Sequence, residues 1–258
     1  MYPRLFQFGH IAIPTYGVFA ALALISALAL AMQTARRLSL DSNKIWSLGL
    51  TVIFAALLGS RLLLILFHLR DFLAHPFWML GLVAIHSRGI VWGGMLIAVC
   101  ACVGYIFAAG LPFRRTLDCL APAAALGLSI QSLGAFFAGS GYGTPTDKPW
   151  GVVYRHGLAT LWSGTPLFVR LHPVQLYEAV AMLALFVFLL GWLPRRTQDG
   201  DLAGAFLFFY GIALFFLEFY RGEHIFTFSG LITYVQLLAI GLVLAGAVLW
   251  KSRKPVAL

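Results

Sequence analysis

Long runs of apolar residues alternate with short polar stretches along the whole chain. Each run has the ~20 residues that an α-helix needs to cross a bilayer. The pattern predicts an all-α integral membrane protein with seven transmembrane helices, near residues 11–32, 45–67, 90–109, 117–137, 174–193, 202–220 and 231–250. We expect a single transmembrane domain over residues 1–258, with exterior loops at 68–89 and 138–173.

The first apolar run has features of a signal peptide as well as of a transmembrane helix. Ala27-Leu-Ala29 resembles a small-residue cleavage site, but the region before the run carries only Arg4 as a basic residue. The run is also long enough to span a bilayer, whereas the apolar part of a signal peptide is shorter. We therefore expect this run to remain in the protein as its first transmembrane helix.

Basic residues mark every second loop between the apolar runs. Their positions after the first, third, fifth and seventh runs are Arg36, Arg37 and Lys44, Arg114 and Arg115, Arg195 and Arg196, and Lys251, Arg253 and Lys254. Loops rich in arginine and lysine stay on the cytoplasmic side of a membrane. We therefore predict that the N-terminus lies outside and the C-terminus in the cytoplasm.

Composition supports a membrane protein and narrows its chemistry. Only 10% of the residues are charged and 61% are hydrophobic, whereas soluble domains have roughly 25% charged residues. The formal charge of +9 is better explained by orientation in the membrane and contact with anionic lipid than by nucleic-acid binding. The sequence has no basic stripe with interleaved aromatic residues. The cysteines form no CxxC pair and the histidines no ligand set, so we expect no metal or redox cofactor.

A glycine-rich stretch from Gly134 to Gly151 interrupts the apolar pattern after the fourth run. It carries five glycines and two prolines, at Gly134, Gly139, Gly141, Gly143, Gly151, Pro145 and Pro149. Glycine lets the backbone turn sharply and lets another chain or a ligand approach closely. The stretch therefore predicts a helix that ends in a polar, ligand-facing loop, although an ordinary connection between helices would have a similar composition.

Four ionisable residues lie within or at the end of apolar runs, at Arg61, Glu178, Glu218 and Arg221. A charge inside a membrane costs at least ~2.5–3.5 kcal/mol, so it normally faces the protein interior or water and has a partner. For Arg61 we favour an interior ion pair or a lipid phosphate contact over snorkelling to the surface.

Spacing places several polar residues on shared helix faces. Tyr210, Glu218 and Arg221 fall on one face, and Glu218 and Arg221 can form an ion pair at i, i+3. Gln175 and Glu178 also share a face of the preceding span, where an arginine or a loop backbone could reach the carboxylate. The alternative for Glu218 and Arg221 is a local salt bridge that merely neutralises both groups.

Small residues and a tyrosine near the ends of two other runs are further candidates. Gly93 and Gly94 follow Trp92 at the start of the third run, where adjacent glycines permit close approach of a helix or a ligand. Tyr16 lies near the start of the first run. A buried tyrosine needs a hydrogen-bond partner, yet Tyr16 could equally belong to an interfacial aromatic belt.

With these features together, the chain resembles the bacterial prolipoprotein diacylglyceryl transferase family. The sequence of its glycine-rich loop resembles a divergent branch of that family. The resemblance runs nearly end to end. Its motifs are Tyr16-Gly17, Gly59-Ser-Arg61, Trp92-Gly93-Gly94, the loop from Gly134 to Gly151, His172-Pro-Val-Gln-Leu-Tyr-Glu178, and Tyr210-Gly211 followed by Glu218-Phe-Tyr-Arg221.

The resemblance implies transfer of a diacylglyceryl group from phosphatidylglycerol to the lipobox cysteine thiol of a preprolipoprotein, recognised through its signal peptide, in the bacterial inner membrane. Glycerol phosphate would leave. By the resemblance, Arg61 and Arg221 would contact phosphate or carboxylate, and Glu178 and Glu218 would hold the arginines. The residues expected to bind substrate are Tyr16, Gly93, Gly94, Gly134, Gly139, Gly143, Gln175, Tyr177 and Tyr210.

The chain departs from the family pattern at three positions suited to the chemistry. Trp92 stands where the family usually has histidine, and Ser132 and Leu214 stand where it has arginine. Two hypotheses therefore stay open: an active transferase, or a catalytically impaired paralogue that binds lipid or lipoprotein as a membrane subunit. A small transporter is less favoured, because no pair of broken spans lies in corresponding halves.

Overall fold

The computed structural model of the chain describes residues 4–8, 11–74, 88–222 and 232–251. The helices in these ranges are α1 (Thr15–Arg37), α2 (Ser42–Phe67), α3 (Leu69–Ala74), α4 (Arg88–Ala108), α5 (Phe113–Ala138), α6 (Gly157–Ser163), α7 (Val174–Trp192), α8 (Asp201–Glu218) and α9 (Tyr234–Lys251). Two short antiparallel pairs accompany them, β1 (Arg4–Phe8) with β2 (Ile11–Pro14) and β3 (Val152–Val153) with β4 (Arg170–Leu171).

Six helices in the described ranges are long and apolar enough to cross a membrane: α1, α2, α5, α7 with the turn that extends it to Arg195, α8 and α9. This is the architecture of a multi-pass integral membrane protein. Helix α4 adds a shorter apolar stretch, Gly93–Ala108. The count of seven spans and the orientation of the termini therefore stay predictions.

Two helix boundaries differ from the apolar pattern. Helix α1 begins at Thr15 rather than near residue 11, because Ile11–Pro14 pairs with Arg4–Phe8 as a strand. Strands this short leave too little periodicity to be predicted. Helix α5 begins at Phe113, so Arg114 lies in its first turn instead of in a loop. Of the predicted exterior loop 68–89, residues 75–87 lie outside the described part.

The described chain divides into two compact units, and each is considered by itself. One unit comprises Ala35–Thr116. In it, helices α2 and α4 pack closely through glycines: a Cβ on Gly94 would lie 2.9 Å from Ser60 Cβ, and one on Gly59 would lie 2.9 Å from Ile97 Cδ1. Glycines at such contacts let membrane helices approach at short distance.

The other unit comprises Met1–Thr34 and Leu117–Leu258. Its helices α8 and α9 also meet at glycines. A Cβ on Gly211 would lie 2.7 Å from the Ala239 carbonyl oxygen, and one on Gly246 would lie 2.7 Å from that of Gly204. The main-chain atoms of the two helices are therefore in direct contact, which leaves no room for larger side chains there.

In the same unit, helix α5 contacts both α1 and α7. The buried thiol of Cys119 donates to the Ala31 carbonyl oxygen at 3.2 Å, on α1. The Ser129 hydroxyl donates to the Ala179 carbonyl oxygen at 2.9 Å, on α7. Helix α5 therefore holds α1 and α7 in place by a hydrogen bond to each.

A buried carboxylate fixes the start of α8. Asp118 on α5 accepts hydrogen bonds from the main-chain N–H groups of Gly200 at 2.7 Å and Ala203 at 2.9 Å. Arg196 Nη1 lies 3.3 Å from the same carboxylate. The first N–H groups of a helix have no partner within the helix, so Asp118 supplies one from a distant part of the chain.

We predict that Asp118→Ala lowers the melting temperature in detergent micelles. Each main-chain N–H left unsatisfied costs about 1–3 kcal/mol, and Arg196 would also lose a partner. The control is Asp199→Ala, which removes the 2.8 Å contact of Arg196 at a partly exposed position and should have a smaller effect. Equal melting temperatures for wild type and Asp118→Ala would contradict this role.

Candidate functional site

The glycine-rich loop is bonded to the chain that leaves α8. Gly143 and Arg221 form an antiparallel bridge. On either side of it, Thr144 N–H donates to the Tyr220 carbonyl at 2.8 Å and Gly222 N–H donates to the Tyr142 carbonyl at 2.8 Å. The loop therefore fixes the main chain of Arg221, although Arg221 lies beyond the end of the helix.

The same loop is bonded to the segment before α7. His172 N–H donates to the Thr144 carbonyl at 2.9 Å. The Gln175 amide Nε2 donates to the Ser140 carbonyl at 2.8 Å. A Cβ on Gly143 would lie 2.8 Å from His172 Cβ and closer still to the His172 carbonyl oxygen. Only glycine fits between these two segments of the chain. The loop therefore connects the start of α7 to the end of α8.

Three charged side chains meet beside this loop. Arg221 Nη2 lies 3.3 Å from Glu178 Oε2, and Arg221 Nε lies 3.3 Å from Glu218 Oε2. The exposed fraction of the side chain is 1% for Glu218, 17% for Glu178 and 27% for Arg221. The predicted i, i+3 pair of Glu218 and Arg221 is confirmed, and the guanidinium also reaches Glu178 on another helix.

Two neutral groups border the charged cluster of Glu178, Glu218 and Arg221. Ser132, a buried residue on α5, is close enough to Glu178 to interact with its carboxylate. Tyr210 on α8 lies within electrostatic range of Glu178 and Arg221. The cluster therefore draws on α5, α7, α8 and the chain after α8.

Gln175 lies beside this cluster but serves the loop. Its Nε2 also lies 3.4 Å from the Tyr154 hydroxyl, which donates to the Phe136 carbonyl at 3.3 Å. Burial raises the pKa of Tyr154 to about 12, so the phenol keeps its proton further into the alkaline range than an exposed tyrosine does. Gln175 is 3% exposed, and its contacts in the structure are those of a residue that shapes the loop.

Tyr177 belongs to an aromatic group rather than to the charged cluster. Trp150 Nε1 donates to the Tyr177 hydroxyl at 2.7 Å, and His172 Nδ1 lies 3.3 Å from the same oxygen. The rings of His172 and Tyr220 are 5.1 Å apart in an edge-on arrangement. Trp150 is 56% exposed, so this aromatic group of four residues presents one indole at the surface of the loop.

Tyr16 has a hydrogen-bond partner on α5. The Gln131 amide Nε2 donates to the Tyr16 hydroxyl oxygen at 3.2 Å. Nearby, Gly134 lies against Phe19, so that a Cβ on Gly134 would overlap Phe19 Cβ. Gly139, with φ of +84°, ends the helix and turns the chain into the loop.

Arg61, Gly93 and Gly94 lie in the other compact unit. Arg61 Nη1 is buried and has no hydrogen-bond partner among the residues that the structure describes. Gly93 packs against Leu63 and Gly94 against Ser60. The Trp92 side chain lies outside the described part. The predicted convergence of Arg61 with the charged cluster therefore stays a prediction.

Sequence reasoning located the charged residues but missed their neutral neighbours. It placed Ser132 only as a substitution for arginine and assigned no contact to Gln131 or Trp150. A polar pair at Gln131 and Ser132 within an apolar helix is a signal that could have found two of them, since such groups in a membrane helix need partners.

The apolar helices define a multi-pass membrane protein. The ion pair of Arg221 with Glu178, which joins the end of α8 to the start of α7, gives it a polar site. A family model described as prolipoprotein diacylglyceryl transferase matches residues 3–251. The chain belongs to this family.

Relatives in several bacteria support this assignment. The phosphatidylglycerol–prolipoprotein diacylglyceryl transferase of Geobacter sulfurreducens is 34% identical over 85% of this chain and 82% of its own length. The proteins of the same name from Glaesserella parasuis and Legionella pneumophila are each 30% identical. The alignments cover 96% and 98% of this chain and 91% and 97% of the relatives, respectively.

We predict that Gly143→Ala displaces the loop from the segment before α7. The new Cβ would meet the His172 backbone, and such overpacking costs about 1–3 kcal/mol. Faster trypsin cleavage at the exposed Arg155 and Arg170 would report the displacement. Gly157→Ala is the matched control, because a Cβ at Gly157 meets nothing within 4 Å. Equal cleavage rates in the two variants would refute the predicted clash.

Proposed function

We propose that this protein transfers a diacylglyceryl group from phosphatidylglycerol to the lipobox cysteine thiol of a preprolipoprotein. In this reaction a C–S bond forms as the C–O bond to the phosphate breaks. The thiol proton ends on the departing phosphate oxygen, and glycerol phosphate leaves. Family membership supports the proposal, and the observation that carries it is the Arg221 guanidinium held by two carboxylates beside the glycine-rich loop.

Arg221 is suited to bind the phosphate of the lipid. A guanidinium has five N–H donors, and the ion pairs engage Nε and Nη2. Nη1 lies 4.0 Å from the Cβ position of Gly141, where φ is +64° and no side chain intervenes. A phosphate oxygen bound between this turn and Nη1 would gain negative charge as the C–O bond breaks, and a fixed cation stabilises that charge.

Glu178 and Glu218 would hold Arg221 in this orientation. Arg61, whose Nη1 is buried without a hydrogen-bond partner among the described residues, would supply a second cation to the anionic lipid. Tyr16 and Tyr210 would donate hydrogen bonds to the headgroup. Gly93, Gly94, Gly134, Gly139 and Gly143 would contribute through close packing of the helices and the loop that surround the substrates, because a Cβ at each would meet another part of the chain.

The remaining topology belongs to the same proposal. Seven spans with the N-terminus outside would place the loop 138–173 and the charged cluster at the outer face of the bacterial inner membrane. Lipoprotein precursors would meet the site there through their signal peptides. The orientation is supported by the basic residues Arg36, Arg37, Arg195 and Arg196.

The decisive experiment assays the purified protein with phosphatidylglycerol and a lipobox peptide. We expect the peptide to gain the mass of one diacylglyceryl group on cysteine, and a peptide with serine at that position to gain none. Expression of the gene should also rescue a strain depleted of its own transferase. Absence of both results, with lipid or precursor still bound, would instead establish the impaired paralogue suggested by Ser132 and Leu214.

We predict that Glu178→Gln lowers kcat/KM for transfer by about 10²–10³-fold, the range for loss of a positioned electrostatic group. The amide keeps the shape of the side chain but removes the charge that holds Arg221 Nη2. Asp147→Asn is the matched control, because Asp147 is an exposed carboxylate in the glycine-rich loop. Equal activity of the two variants would exclude Glu178 from the site.

A further inference from the structure

Two consecutive residues of α5 point to different helices. Gln131 bonds Tyr16 on α1 at 3.2 Å, and Ser132 reaches Glu178 on α7. Consecutive side chains on an α-helix are rotated by about 100° around its axis. A helix that lies between two others can therefore contact both of them through adjacent residues. Because Ser129 bonds the Ala179 carbonyl, the α7 side of this arrangement is fixed independently of Glu178.

The α1 side is fixed by a close glycine contact. Gly134 follows Gln131 by three residues on α5, and Phe19 follows Tyr16 by three residues on α1, so each pair shares a helix face. A Cβ on Gly134 would overlap Phe19 Cβ. Gly127 repeats the contact on the same face of α5, two turns before Gly134, where a Cβ would lie 3.3 Å from Ala27 Cβ. The two helices are thereby close enough for the Tyr16–Gln131 hydrogen bond.

The direction of this hydrogen bond determines what Tyr16 offers to a ligand. The Gln131 amide is the donor and the Tyr16 oxygen is the acceptor, so the phenolic proton is not used in the contact. A hydroxyl that accepts one hydrogen bond becomes a better donor in the next, because the bonds polarise one another. Tyr16 is 40% exposed, so its O–H is available to a ligand.

We propose that Gln131 is a positioning residue that presents the Tyr16 hydroxyl as a hydrogen-bond donor to a phosphate oxygen of the lipid headgroup. This inference rests on the proposed transferase function. Gln131 touches no reacting atom in this scheme and acts through Tyr16. Its replacement should therefore weaken lipid binding more than it slows the chemical step.

The test is a double-mutant cycle with Gln131→Met and Tyr16→Phe. We expect Gln131→Met to raise KM for phosphatidylglycerol by about 5–10-fold with a smaller change in kcat, the loss expected for one hydrogen bond. In the Tyr16→Phe background the same substitution should have no further effect. Gln33→Met, at an exposed position of α1, is the control. Additive effects of the two substitutions would overturn the proposal.

Gln131→Glu tests whether Gln131 must donate the hydrogen bond to Tyr16 or need only contact it. An ionised carboxylate only accepts, so it would take the Tyr16 proton into its own hydrogen bond and leave none for the lipid. We expect this variant to raise KM at least as much as Gln131→Met. Wild-type KM in Gln131→Glu would overturn the assignment of Gln131 as the donor.

A readout without turnover distinguishes this inference from the proposed function. With 3-fluorotyrosine at position 16, the ¹⁹F resonance should shift when phosphatidylglycerol is titrated into the wild type, and the shift should be lost in Gln131→Met. A ¹⁹F titration response that is lost in Gln131→Met, in a protein without transferase activity, would support the positioning role and refute only the function. An unchanged response in Gln131→Met would refute the positioning role even in an active enzyme.

Discussion

The ion pairs of Arg221 with Glu178 and Glu218 are the interaction on which the site depends. A charge among apolar helices is tolerated only with a partner, and removal of one partner from a buried pair costs about 3–5 kcal/mol. Here one guanidinium joins the start of α7 to the end of α8. The same contact therefore neutralises the charges, holds two helix ends together and gives the cation a fixed orientation.

Glycine contacts provide the second constraint. Membrane helices gain no hydrophobic drive from contact with one another, so close packing through small residues has to hold them together. Gly211 and Gly246 bring α8 to α9, and Gly134 brings α5 to α1. Gly143 uses the same principle outside the helices, where it places the loop against His172. Glycine thus serves both to pack the helices together and to shape the site.

Neutral hydrogen-bonding residues occupy the border of the charged cluster. Ser132, a buried residue on α5, interacts with the Glu178 carboxylate. Leu214 on α8 is an apolar residue and is 7% exposed. Elsewhere on α5, Gln131 forms a hydrogen bond with Tyr16 on α1. Hydroxyl and amide groups therefore accompany the ions on these helices.

The sequence alone determined the apolar helices and the membrane environment, because runs of about 20 apolar residues have few other stable solutions. It also determined the Glu218–Arg221 pair, because residues three apart are neighbours in a helix and in the turn that ends it. Only the tertiary structure decided that Glu178 reaches the same guanidinium, that Gly143 bridges Arg221 and that Gln131 bonds Tyr16. These residues are far apart in the chain, and their contacts depend on how helices and loops pack, which no local pattern encodes.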